Sequence, residues 1–382
     1  MNFNFANNIG FLNEIEPELI NAWLEIDLSN LTHNINYIRT LLPENTKIMG
    51  VVKADAYGHG SIETSQYLES NGVYCLGVAN IAEAKILRQI GRKLPILVLG
   101  SVFKEQIYVA LKYDIELAIT SLKSLEDIIN ESKKLNKTAN AHLKIDSGMG
   151  RVGVRLESLE NVLNILKKSE NINLKGVFTH FAEAEHENGF TDYQIKEFEK
   201  ALEIIKQFGF NNFITHASNS SGIIVHPKAH FDMVRAGLAM YGISDPVDLQ
   251  LKPVMSLKSK IINIKTIPEG NSLGYGRTFI TQRESIIGTI PVGYADGLPR
   301  VLSNKQEVLI KGKRYPLVGN ISMDQCLVDI TDSESIEIGE QVTLLGNSGN
   351  LSIRPEEWAS KSYRIAYEVL CGFGNRLPRV YT

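Results

Sequence analysis

Lys53 ends an apolar run, VVK, inside the segment VVKADAYGHG at residues 51–60. An amine held where a buried strand emerges loses hydration. Its charged form is then disfavoured, and the neutral amine becomes a nucleophile toward an aldehyde. Taken alone, a strand-end lysine is more often a solvated surface group. Four further polar residues occupy the same kind of position: Arg151, His180, Asn219 and Arg235 each lie at or just after the end of a predicted strand. In a parallel barrel, that edge is where active sites form.

The elements that must hold these residues alternate from Trp23 to about Gly242. Nine short apolar runs read as strands: WLEIDL, IMGVVK, YCLGVA, PILVLG, IELAIT, ANAHLKI, LKGVFTH, NFITHA and FDMVRAG. Segments of helical period separate them. Leu31, Ile35, Ile38 and Leu42 share one face; Asn80 with Glu83 reads as a helix start that Gly91 ends. Thr191 with Gln194 reads as a capping box, followed by Ile195, Phe198, Leu202 and Ile205 on one face. Apolar strands each followed by a helix pair in parallel under a cover of helices. The expected fold is α/β, a (β/α)8 TIM-type barrel over residues 21–250, although nine runs are one more than it needs. From about Met255 the pattern becomes strands with turns, Lys311-Gly312-Lys313 reading as a hairpin. Helical patches at 356–360 and 365–370 interrupt it. Residues 251–382 are therefore expected to form a mostly β C-terminal domain.

The chain has 382 residues, 43% of them hydrophobic, and a formal net charge of −3. It can bury a large core, and its charge balance is not that of a non-specific nucleic-acid or membrane-surface binder. Three scattered cysteines form neither a disulfide framework nor a zinc site. Residues 1–20 have no basic start and no long apolar run, so they read as an N-terminal extension and the location as cytoplasmic. G-x-x-x-x-G-K-[ST] and an early G-x-G-x-x-G are missing, which withdraws support from ATP use and nicotinamide chemistry.

The lysine segment resembles the pyridoxal-phosphate lysine motif of the alanine racemase family. Eight further blocks resemble that family in its order: HLKIDSGMGRVGV (142–154), GVFTHFA (176–182), HASNSSG (216–222), MVRAGLAMYG (233–242), GYGRTF (274–279), IGTIPVGYADG (287–297), VGNISMDQC (318–326) and RLPRVY (376–381). Together they run through nearly the whole chain from Trp23. The resemblance implies pyridoxal 5'-phosphate (PLP) as cofactor, an amino-acid substrate, and a head-to-tail homodimer with shared active sites.

On the matching positions, Lys53 would hold PLP covalently. Tyr57, Asn219, Ser220, Gly237 and Leu238 would form its phosphate cup, where close backbone approach is needed. Arg235 would face the pyridine nitrogen; a guanidinium only donates, so that nitrogen stays unprotonated and the ring becomes a weaker electron sink. His180 and Leu99 would lie against the ring. Arg151 would reach the cofactor and the substrate carboxylate. Lys144 would be oriented toward Arg151, carbamylation turning it from a repelling cation into an anion. Tyr275 would be the second catalytic base, opposite Lys53 and supplied across the dimer; a tyrosine pKa of about 10 requires a nearby cation, Arg151, to lower it. Met323 and Asp324 would bind substrate, and Tyr294 and Arg300 would line the entrance. Asn375 stands where some members carry a tyrosine that reaches the phosphate.

The implied activity is interconversion of L- and D-alanine, supplying D-alanine for peptidoglycan. Serine or broader substrates are a near alternative, since a hydroxyl changes binding in an apolar site by only ~1–3 kcal/mol. A PLP-dependent decarboxylase and a non-catalytic PLP-binding protein are rivals of other classes. The first should carry a glycine-rich phosphate loop and a catalytic Cys–Asp/Glu segment, and the second should lack the β domain.

Overall fold

A computed structural model describes residues 19–246, 250–333 and 335–382. Apart from Leu19 and Ile20, the N-terminal extension lies outside the described residues. Nine strands fall between Ala22 and Ala236: β1 (Ala22–Ile26), β2 (Lys47–Val51), β3 (Cys75–Val78), β4 (Ile96–Val98), β5 (Leu117–Ile119), β6 (Ala139–Lys144), β7 (Ile172–Phe178), β8 (Ile214–His216) and β9 (Met233–Ala236). Each of the nine apolar runs overlaps one of them.

Strands β2 to β9 form the expected eight-stranded parallel barrel, with neighbours in chain order and β9 beside β2. The seam between β4 and β5 is closed by Glu116, whose N–H donates to Ile96 O and whose carbonyl accepts from Val98 N. Every residue of β3, β4, β5 and β9 is buried. Strands buried on both faces need helices outside them, and the helices supply apolar stripes. The helix Leu122–Leu135, for instance, buries Leu125, Ile128 and Ile129. The helix Ile81–Gln89 is capped by Asn80 Oδ1, which accepts from Glu83 N at 3.0 Å.

The capping box expected at Thr191 and Gln194 does not form. The helix starts at Phe190 after Gly189, Thr191 Oγ1 donates to Glu183 O, and Gln194 is buried beneath the loop after β7. A long polar side chain three positions after a threonine can cap, but here tertiary partners outcompete the cap.

The ninth run is the surplus one. β1 pairs antiparallel with the strand Met255–Lys260 and parallel with Arg379–Tyr381, so residues 22–26 belong to the β-rich sheet and not to the barrel expected from residue 21. Its burial alternates residue by residue, the signature of a sheet with one wet face. That sheet runs, in spatial order, through 263–267, 285–290, 326–329, 313–318, 307–310, 341–348, 255–260, β1 and 379–381. Lys311 and Gly312, both with positive φ, make the expected two-residue hairpin between Ile310 and Lys313. The chain divides into two compact units. One contains Thr32–Ala56 and Ser61–Leu251; the other contains the segment ending at Leu31, Tyr57–Gly60 and Lys252–Thr382.

Candidate active site

Lys53 follows the carboxyl end of β2 and opens a turn of unusual backbone. Ala54, Asp55, Ala56 and Tyr57 all have φ between 52° and 54°. A left-handed conformation costs roughly 1–2 kcal/mol for each residue with a Cβ, so the turn must be held from outside. Ala54 N–H donates to Glu83 Oε1 at 3.0 Å, and Glu83 Oε2 accepts from Ala79 N at 2.8 Å. Asp55 Oδ1 accepts from Ser61 N at 2.7 Å. Glu83, legible in the sequence only as a helix-start residue, thus ties the lysine's turn to the exit of β3.

Around the same barrel rim stand Lys144, the last residue of β6, Arg151 on the following loop, His180 after β7, and Arg235 in β9. Arg235 is buried. Its Nη2 donates to Thr179 O at 2.9 Å, Ala217 O at 2.7 Å and His180 Nδ1 at 3.1 Å, and its Nη1 lies 3.3 Å from His216 Nδ1. Burial pushes its pKa down to about 9, so it remains a cation at neutral pH. The nearby carboxylate Asp232 is engaged by Thr215 N and Oγ1 instead.

Lys144 Nζ donates to Leu99 O at 3.3 Å and lies 5.3 Å from the Phe178 ring centroid. Burial first, then the charges of Arg235, Arg151 and Lys53, push its pKa down to about 8. His180 is driven well below the ordinary histidine range by burial, then by Arg235, Arg151, Lys144 and Lys53. It is therefore neutral, and because Arg235 donates to Nδ1, the proton sits on Nε2. Lys53, Lys144, Arg151 and Arg235 thus form one cationic cluster around the neutral His180.

A second group follows β8 and β9. Asn219 Oδ1 accepts from Gly222 N at 3.0 Å and caps the turn Ser220–Val225. Ser220 Oγ accepts from Gly237 N at 3.2 Å and Ala239 N at 3.1 Å, drawing the two strand exits together beside buried Leu238. Small side chains and backbone amides thus gather at these two strand exits, the groups from which an anion cradle is built. Sequence inspection missed Gln194, whose Oε1 accepts from Ala182 N at 2.9 Å and whose Nε2 donates to His180 O at 3.2 Å. It fixes the His180 loop; its helical spacing gave no sign of that.

The remaining predicted residues belong to the β-rich unit. Asn320 Nδ2 donates to the carbonyl of Tyr275 at 2.8 Å. Tyr294 N donates to Ser322 O at 3.0 Å and Ala295 N to Met323 O at 3.0 Å. A Cβ on Gly293 would lie 2.3 Å from Met323 O, so only glycine allows this approach. Arg376 then bridges Asp324 at 2.9 Å and Asp296 at 3.4 Å. Tyr275, Tyr294 and Met323, on loops joined by these contacts, are all exposed, Tyr275 being 73% accessible. Arg300 and Asn375 are also exposed. Tyr57 is buried, its ring 5.9 Å from that of Tyr367, and burial raises its pKa.

A closed parallel barrel whose rim gathers two amines, two guanidinium groups and a neutral imidazole beside an anion cradle defines a class: barrel enzymes that work on a small anionic ligand at the strands' carboxyl ends. The comparisons make this particular. Residues 26–245 match the family model of the alanine racemase N-terminal domain, and residues 254–381 match that of its C-terminal domain. A protein named alanine racemase from Methanococcus maripaludis is 41% identical over 367 residues, covering 94% of this chain and 98% of the relative. Another from Clostridium novyi is 42% identical over 370 residues, covering 94% and 95%. The solved alanine racemase of Clostridium difficile superposes with a TM-score of 0.89 at 40% identity, covering 95% of this chain and 96% of that one. The Bacillus anthracis alanine racemase with bound L-Ala-P gives a TM-score of 0.89 at 34% identity, covering 96% of each. The chain belongs to the alanine racemase family.

Proposed function

We propose that this protein interconverts L- and D-alanine with PLP as cofactor, and that it supplies D-alanine for cell-wall synthesis in the cytoplasm. The observation that carries the reading is the cationic cluster around Lys53 with the amide cradle beside it. Its residues fit PLP: an amine for the aldehyde, small hydroxyl and amide groups at Ser220 and Gly237 for a phosphate, and a buried donor, Arg235, for a ring nitrogen. Bound PLP would supply the electron sink that acidifies the substrate's Cα–H.

This chain's own groups do the rest. Lys53 Nζ takes or returns the Cα proton on one face. Tyr275 Oη of the partner subunit does the same on the other, so a proton removed on one side can be replaced on the opposite side. The exposure of Tyr275, Tyr294 and Met323 supports a homodimer in which one protomer completes the site of its partner. Arg151 binds the substrate carboxylate. Arg235, an obligate donor, keeps the sink modest, which favours proton return over transamination. Lys144, with its lowered pKa, supports the carbamylated form. The three scattered thiols of Cys75, Cys326 and Cys371 fit a reducing compartment. Among the described residues, no helix is long and apolar enough to cross a membrane.

The test is chiral analysis of alanine after incubation of the protein with PLP. Conversion from either enantiomer toward an equal mixture is the expected result. Conversion of serine alone would move the assignment to a serine racemase, and carbon dioxide release would move it to a decarboxylase.

A further inference from the structure

Behind Arg235 the barrel interior holds three further buried polar groups, in line with it, that the proposed chemistry does not use. Arg235 Nη1 lies 3.3 Å from His216 Nδ1; His216 Nε2 lies 3.0 Å from His142 Nδ1; His142 Nε2 lies 3.1 Å from Glu116 Oε2. The line runs from Arg235, near the exit of β9, to Glu116, at the entry to β5. His142, His216 and Arg235 are each less than 5% exposed, and the Glu116 side chain is 12% exposed.

Donor and acceptor rules fix every proton in it. A guanidinium has no acceptor, so His216 Nδ1 must accept and its proton sits on Nε2. That N–H donates to His142 Nδ1, so the His142 proton also sits on Nε2. That last N–H meets a carboxylate oxygen of Glu116 as its acceptor. An extra proton on either imidazole would set two donors face to face. The local sequence is shaped to this line. The β6–β7 register shifts between Ala141 and His142, and His142 faces Gly176, where a Cβ would lie 2.2 Å from His142 Nδ1. Phe178 stacks on His216 with centroids 4.8 Å apart and an interplanar angle of 4°.

We propose that Glu116 is a positioning residue for Arg235, acting through His142 and His216: its carboxylate terminates a one-way chain of donors and thereby orients the guanidinium toward the ligand. Ordinary burial of a polar residue would need one hydrogen bond; it would not need a glycine opposite, a register shift and two matched tautomers. The effect on catalysis rests on the racemase reading above. The tautomers do not.

The experiment uses the full chain, selectively labelled with 15N-histidine and assigned with His142→Asn and His216→Asn. Without and with PLP, both rings should show the neutral Nε2–H tautomer. In Glu116→Leu the His142 signal should lose that pattern and kcat should fall at least about tenfold, the usual effect of orphaning one buried donor. Glu116→Gln, which keeps an acceptor, should preserve the tautomers and most of the rate. Gly176→Ala, which displaces the His142 ring and spares every charged group, should reproduce the Leu phenotype if Glu116→Leu does not fold. An Nδ1–H tautomer or an imidazolium at either position in the unaltered chain overturns the proposal. So does a Leu variant with unchanged tautomers and rate, or a Gln variant as impaired as Leu. Failure of the racemase reading would instead appear as an unaltered chain that is inactive with its tautomers as described.

Discussion

Lys144 should react with carbon dioxide. The reaction needs the neutral amine, which adds to the carbon of CO2 and releases one proton, leaving a carbamate anion. With an ordinary pKa of 10.5, the neutral fraction at pH 7 is roughly 0.03%; with the pKa pushed down to about 8 it is roughly 9%, a gain of roughly 300-fold. The product is favoured by the same neighbours that disfavour the ammonium, because Arg235 and Arg151 attract an anion where they repelled a cation. The assay is 13C NMR of the protein in 13C-bicarbonate. At fixed dissolved CO2, one protein-bound carbamate signal should grow between pH 7 and about 8, and Lys144→Ala should lack it. No signal beyond that of Lys144→Ala, or one rising only near the ordinary lysine pKa, would refute the reasoning. The pKa shift also fixes a stability trend in CO2-free buffer. Between about pH 8 and 10.5 the folded chain binds fewer protons at Lys144 than the unfolded chain, so its contribution to stability rises with pH through that window. Lys144→Met should flatten the rise in a series of denaturant titrations.

Lys53→Ala should abolish borohydride-trapped PLP on the chain, and peptide mapping of the unaltered protein should find the label only at Lys53. Arg235→Glu, replacing an obligate donor with a group that can protonate a ring nitrogen, should produce a new long-wavelength absorbance with substrate and slower racemisation; an unchanged spectrum and rate would remove Arg235 from the ring. Lys53→Ala and Tyr275→Phe chains should each be nearly inactive, whereas random exchange gives about half heterodimers and therefore roughly a quarter of normal activity per chain. Recovery absent after demonstrated subunit exchange would mean the two residues do not meet across a dimer.

The sequence by itself determined the repeating order of strand and helix, the two-part character of the chain and the rim positions of Lys53, Arg151, His180, Asn219 and Arg235. Those features are local: burial on both faces shows as apolar runs, and a strand's end is visible where the run stops. It also held a clue to β1, whose alternating burial differs from the strands buried on both faces, yet pairing with Met255–Lys260 and Arg379–Tyr381 depends on residues more than two hundred positions away. Only the tertiary structure decided that Gln194 holds the His180 loop instead of capping its helix, because the cap and the loop compete for the same amide. It alone decided that Glu83 secures the left-handed turn after Lys53. The line from Arg235 to Glu116 is of the same kind. Its members come from β6, β8, β9 and the entry to β5, and a hydrogen bond between strands leaves no trace in the spacing of either one.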